Sequence, residues 1–175
     1  SLAACGISLQ LARALLAGHP RRHDLVRSLL KLAAIGTVGD VVDLSVPENR
    51  AIVALGREAL ASGGHAPGLQ ALLAVSGCAG RRVSAQDLAF RVGPRINAAG
   101  RIEHAELAVR LLAERDPARA RELATALDAL NGRRQAIQER LVRTVLEEGP
   151  PIAADRLFPV FAGPEADGWH RGVVG

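Results

Sequence analysis

Methionine and tyrosine are absent from these 175 residues, and Lys31 is the single lysine among 22 basic side chains. Without methionine Ser1 is not a native start, so the chain reads as a piece of a longer protein. Aromatics make up 2% of the chain: Phe90, Phe158, Phe161 and Trp169. Holding single strands mainly by base stacking takes more aromatic platforms than these, which leaves phosphates as the route for any nucleic-acid contact. The two cysteines, Cys5 and Cys78, lie far apart with no Cys/His ligand spacing around them. A disulfide framework and a structural zinc site are therefore not expected, and a reducing cytoplasm is. No charge-free apolar run approaches the roughly 18 residues of a membrane span, and no secretory signal is visible. P-loop, nucleophile-elbow and HExxH patterns are missing as well.

What is present is a globular balance, with 49% hydrophobic and 23% charged residues. The length suits one domain or pieces of two. The net charge is +4 and the pI near 10.3. That surplus is concentrated: residues 81–101 hold Arg81, Arg82, Arg91, Arg95 and Arg101 against Asp87 alone. Arginine presents a planar fork of donors that suits phosphate oxygens.

Apolar spacing predicts a run of helices. The first spans 6–17. The second starts near Asp24 and is expected to break where Gly36-Thr37-Val38-Gly39-Asp40 places two glycines. Pro47 opens a third, to about Ala61, and Pro67 a fourth, each at a first turn where a missing N–H costs nothing. Ser84, with Asp87 three residues on, reads as a capped start. That helix should stop at Gly93-Pro94, leaving Arg95–Arg101 as a connector before a helix over 103–113. Asp116-Pro117 begins the longest element, to about Gly149, with Leu123, Leu127, Leu130, Ile137, Leu141 and Val145 along one stripe. Roughly 50 Å of helix exceeds what a small globule can enclose, so it reads as a bridge between two lobes, with Gly132 as a possible kink. Leu157–Ala162 reads as a strand that opens a second domain.

Two places could carry chemistry. Asp40 follows a greasy helix and a Gly-rich turn and is expected to be buried, and a buried carboxylate is paired, hydrogen-bonded or bound to metal. The residues alone leave a helix cap and a metal ligand both open. Gly93–Arg101 combines small residues, which let a ligand approach the backbone, with donors on Arg95, Asn97 and Arg101. Phosphate binding and a solvated loop are both open there. His19 and His23 are separated by Pro20, His65 and His104 read as surface residues, and His170 stands out because Gly168 and Gly172 flank it.

At these residues the sequence resembles the RecJ family of single-strand-specific 5′-to-3′ DNA exonucleases, within the DHH phosphoesterase superfamily. The resemblance is carried by Ala34 through Val42, by Glu48-Asn49-Arg50, by Pro67-Gly68-Leu69 and by Gly93 through Arg101. It continues through Leu127-Asp128-Ala129-Leu130-Asn131 with Arg134 and Gln135, and through Gly168 to Gly175. It implies an α/β protein of which this stretch is predominantly α-helical. Residues 1–46 would end the DHH catalytic domain, and 47–115 would form a helical part of its core. Residues 116–149 would be the connecting helix, and 150–175 the first strand of a DHHA1 domain. It implies hydrolysis of phosphodiester bonds with two divalent ions, Mn²⁺ or Mg²⁺, in DNA repair and recombination, alongside other repair proteins. Asp40 would be a catalytic metal ligand, and Arg95, Asn97, Arg101 and His170 would contact single-stranded DNA. Most ligands would lie outside this stretch, which alone would be inactive. A phosphoesterase of the same superfamily acting on oligonucleotides or cyclic dinucleotides, and a non-catalytic helical DNA-binding module, are the alternative readings.

Overall fold

The computed structural model describes residues 1–148 together with Phe161, Gly163, Pro164 and Trp169. Its elements are α1 (Ala4–Leu15), α2 (Arg22–Gly39), α3 (Pro47–Ala61), α4 (Pro67–Val75), the single turn α5 (Ala85–Asp87), α6 (Gly93–Ile102), α7 (Glu106–Ala113) and α8 (Pro117–Arg143). A π-helical turn, Leu88–Val92, joins α5 to α6, and a second, Thr144–Glu148, follows α8. The described residues contain no strand. The strand expected at 157–162 lies outside them apart from Phe161, which has no regular structure.

The helix starts follow local chemistry. Pro47, Pro67 and Pro117 all sit in first turns. The Asp116 side chain accepts from the Arg119 N–H at 2.7 Å as the cap of α8. At α5, the Ser84 hydroxyl accepts from the Asp87 N–H at 3.0 Å while the Asp87 carboxylate accepts from the Ser84 N–H at 2.9 Å. This reciprocal pair satisfies donors that a helix start otherwise leaves orphaned.

Two expected breaks do not occur. The second helix runs straight through Gly36 and ends at Gly39. A side chain at Gly36 would meet Cys5 of α1, with Sγ at 2.8 Å. The glycine lets α1 cross closely, which offsets the roughly 1 kcal/mol it costs in a helix. Gly93-Pro94 does not stop the next helix either. Proline clashes with the Cβ of the residue before it, and glycine has none, so Gly93 keeps helical angles of φ −55 and ψ −46. The Gly93 N–H reaches back five residues to the Leu88 carbonyl. Arg95–Arg101 is therefore helix and not connector.

One core spans α2, α4, the first π turn, α6, α7 and α8, with Leu72, Leu88, Leu111 and Leu127 fully enclosed. α8 enters it on Ala120, Ala124 and Leu127, a small-residue face that allows close approach. A smaller cluster of Leu9, Ala33 and Ile52 ties α1 and α3 to α2. On α1 the opposite stripe of Ile7, Leu11 and Leu15 is exposed.

Around α5 charge contributes as well. Arg81 donates to the Asp87 carboxylate at 2.6 and 3.0 Å, and Arg91 pairs with it at 3.3 Å. Hydrogen bonds from Arg81, then from Ser84, hold the Asp87 carboxyl well below the usual carboxylate range. The folded chain thus binds this proton less tightly than the unfolded chain. The resulting stability is present above the unfolded pKa near ~3.9 and is lost as pH falls through and below it. The urea midpoint should drop between about pH 5 and pH 3, and Asp87→Asn should flatten that drop. An equally steep drop in the variant would assign the acid sensitivity to other groups.

Candidate functional site

The last turn of α2 and the cleft face of α6 meet in an open cleft of about 430 Å³. Gly39 and Asp40 line one wall, and Gly93, Ile96, Asn97 and Arg101 the other. Asn97 and Arg101 are four residues apart on a helix and so share a face. The walls approach closely because Gly93 lacks a side chain: a Cβ there would sit 3.8 Å from the Gly39 Cα and 3.0 Å from the Leu88 carbonyl oxygen.

Asp40 is exposed, which corrects the expectation of burial. It is the residue at which α2 stops, and its N–H closes the last turn onto the Gly36 carbonyl at 2.9 Å. The chain then turns sharply through Val41 at φ +52, the one non-glycine residue in the left-handed region among those described. A β-branched residue is disfavoured there, at a cost of order 1–3 kcal/mol. Val41 is itself 89% exposed, so no burial of its side chain offsets that cost. The carboxylate of Asp40 stands at the negative end of the helix dipole, where a cation is the favoured charge. It therefore does not serve α2 as a stabilising cap, and the cap of α3 is Val46.

Arg95 does not line the cleft. Its Nε donates to Asp128 Oδ1 of α8 at 2.7 Å and its Nη1 to the Arg91 carbonyl at 2.6 Å, and 18% of the side chain remains exposed. Beyond α6, Arg133 of α8 pairs with Glu103 at 3.4 Å. His170 lies outside the described residues. Asp128 is the site-related residue that sequence reasoning passed over. It stands in the Leu127–Asn131 stretch, and its partner is distant in sequence, so only the packing of α6 on α8 shows the pair.

His65 is not a plain surface residue. The buried Lys31 donates through Nζ to the carbonyls of Gly63 and Gly64 at 2.7 and 3.0 Å and lies 3.3 Å from His65 Nδ1. Burial lowers the pKa of both groups, and each charge lowers the other's further or is lowered by a neighbouring arginine. This cluster ties the α3–α4 loop to α2 and is remote from the cleft.

No protein-family model matches the chain. Among curated proteins, the single-stranded-DNA-specific exonuclease RecJ of Bacillus subtilis is 38% identical over 174 residues, 99% of this chain and 21% of that protein. The RecJ of Thermus thermophilus is 40% identical over 144 residues, 82% of this chain and 20% of that protein. Crystal structures of Thermus thermophilus RecJ in complex with Mn²⁺ and with Mg²⁺ each superpose with a TM-score of 0.62 at 39% identity, over 71% of this chain. They cover 18% and 20% of those longer chains. The chain thus spans about a fifth of the length of these relatives. Over that span, agreement in both sequence and backbone places the chain in the RecJ family.

Proposed function

We propose that this chain is the part of a single-strand-specific 5′-to-3′ DNA exonuclease that presents one metal ligand and a phosphate-binding helix face to the same strand. The observation that carries the reading is the cleft itself. It brings Asp40 opposite Asn97 and Arg101, residues of two separate motifs. A carboxylate at the negative end of a helix, beside a strained turn, does nothing for the fold. It is suited to a hard divalent cation, which takes oxygen ligands.

One oxygen donor does not hold an ion. Among the described residues no group of three or more His, Cys, Asp or Glu could do so. Asp40 would be one member of a ligand set completed elsewhere in the longer protein. A bound Mn²⁺ or Mg²⁺ supplies an activated water and charge stabilisation at the scissile phosphate. Arg101 and Asn97 would hold phosphate oxygens of the strand, which fixes its position without reading sequence. His170 would add a DNA contact from the second domain. Residues 1–46 and 47–115 would belong to the catalytic core, with α8 leading to the second lobe. The setting would be the cytoplasm, on strands exposed during repair and recombination.

Arg101→Ala tests the reading. Single-strand affinity should fall to a similar extent for all sequences, and the slope of log affinity against log salt should shrink by about 0.7 for the lost contact. An unchanged slope across a salt titration would return Arg101 to a solvated role. The 175-residue chain alone should release no nucleotides from labelled single-stranded DNA with Mn²⁺. Release that vanishes in an Asp40→Ala control would show a complete active site within it and overturn the placement of the other ligands.

A further inference from the structure

We propose that Asp128 is a positioning residue for the phosphate-binding face of α6, acting through Arg95 and touching no substrate itself. The inference rests on the reading of Asn97 and Arg101 given above. At about 100° per residue, Arg95 projects from α6 roughly 200° around the axis from Asn97. It points to α8 while Asn97 and Arg101 point into the cleft.

Its guanidinium joins three elements. Nε is held by the Asp128 carboxylate at 2.7 Å, and Nη1 by the Arg91 carbonyl of the π turn at 2.6 Å. A charge-assisted bond of this length is stronger and more directional than a neutral one. It fixes how α6 is rolled about its own axis, and the roll decides where Asn97 and Arg101 aim. The second tie, Glu103 to Arg133, is longer, at 3.4 Å, and more exposed. That leaves Arg95–Asp128 as the controlling contact.

Electrostatics alone predicts the opposite result. Asp128 is a negative charge near the most basic stretch of the chain, and removing it should strengthen phosphate binding. Positioning predicts a loss. The experiment measures binding of a labelled oligothymidylate to the 175-residue chain by anisotropy across a salt series. It compares Asp128→Ala, Arg95→Ala and the double variant. Each single variant should bind threefold or more weakly than the unaltered chain, the double no more weakly than either single, and the salt slope should shrink by about 0.7.

Affinity equal to or tighter than the unaltered chain in Asp128→Ala would overturn the proposal. So would losses that multiply in the double variant, because these would mean that Arg95 and Asp128 act separately. If Asp128→Ala fails to fold by circular dichroism, Asp128→Asn, which keeps the shape and gives up the charge, is judged by the same criteria. Arg101→Ala separates the two readings. If it binds like the unaltered chain, the phosphate face is wrong. If it weakens binding while Asp128→Ala does not, only the positioning role fails.

Discussion

Asp40→Asn in the full-length nuclease is expected to lower Mn²⁺-dependent nucleotide release by at least about a hundredfold, the scale seen when a metal site loses a group that holds or orients the ion. Asparagine keeps the shape and one oxygen but gives up the charge that attracts a divalent cation. The fold should not register the change, because Asp40 is exposed and at the wrong end of the α2 dipole to stabilise it. The melting temperature should stay within a degree or two or rise slightly, at about 0.3–1 kcal/mol for a charge removed from an unfavourable helix end. Activity and melting measured side by side therefore separate a ligand from a structural residue. Cleavage near the unaltered rate by a folded Asp40→Asn protein would remove Asp40 from the metal site.

Gly68→Ala is expected to have the largest effect on stability. Gly68 stands in the first turn of α4, immediately after Pro67. A Cβ there would fall inside the van der Waals radius of the Leu111 carbonyl oxygen of α7, with the Leu112 Cα beyond it at 3.3 Å. Both are backbone atoms, so no rotamer change makes room. Either α4 and α7 separate or the core between them opens, at a cost of about 3 kcal/mol or more. For a chain of this size that lowers the melting temperature by roughly 6–12 °C. Gly132→Ala is the control. Nothing lies within 4 Å of a Cβ at that mid-helix position, so alanine should stabilise by about 0.5–1 kcal/mol. A Gly68→Ala chain that melts like the unaltered one would mean that α4 and α7 pack differently.

The helix starts were legible because capping and first-turn proline are local effects. Pro47, Pro67, Ser84 and Asp116 all begin helices where the sequence places them. Gly36 and Gly93 misled for a shared reason. Propensity reads glycine as a breaker, while both sit where another backbone or side chain comes too close for a Cβ. The site was legible as segments and not as an arrangement. Asn97 and Arg101 face Asp40, but the spacing of Arg95 in its motif says nothing about a carboxylate on α8. Asp40 was expected inside because valines follow it, yet the chain turns outward at Val41.

The π turn at Leu88–Val92 has a consequence for how this segment tolerates length changes. A π turn holds one residue more than an α-turn needs, so it is a one-residue insertion absorbed in place. Phe90, 78% exposed within it, is packed against little that would resist removal. Deleting it would let α5 and α6 merge into one regular α-helix and turn everything after the junction by about 100° relative to the Ser84–Asp87 cap. Arg95 would swing away from Asp128, and Asn97 and Arg101 would leave the cleft. At most other helix surfaces an exposed phenylalanine is expendable. Here its presence in the count sets which side of α6 meets DNA, so relatives sharing the Gly93–Arg101 motif should vary in the identity of residue 90 but not in the spacing from Asp87 to Gly93.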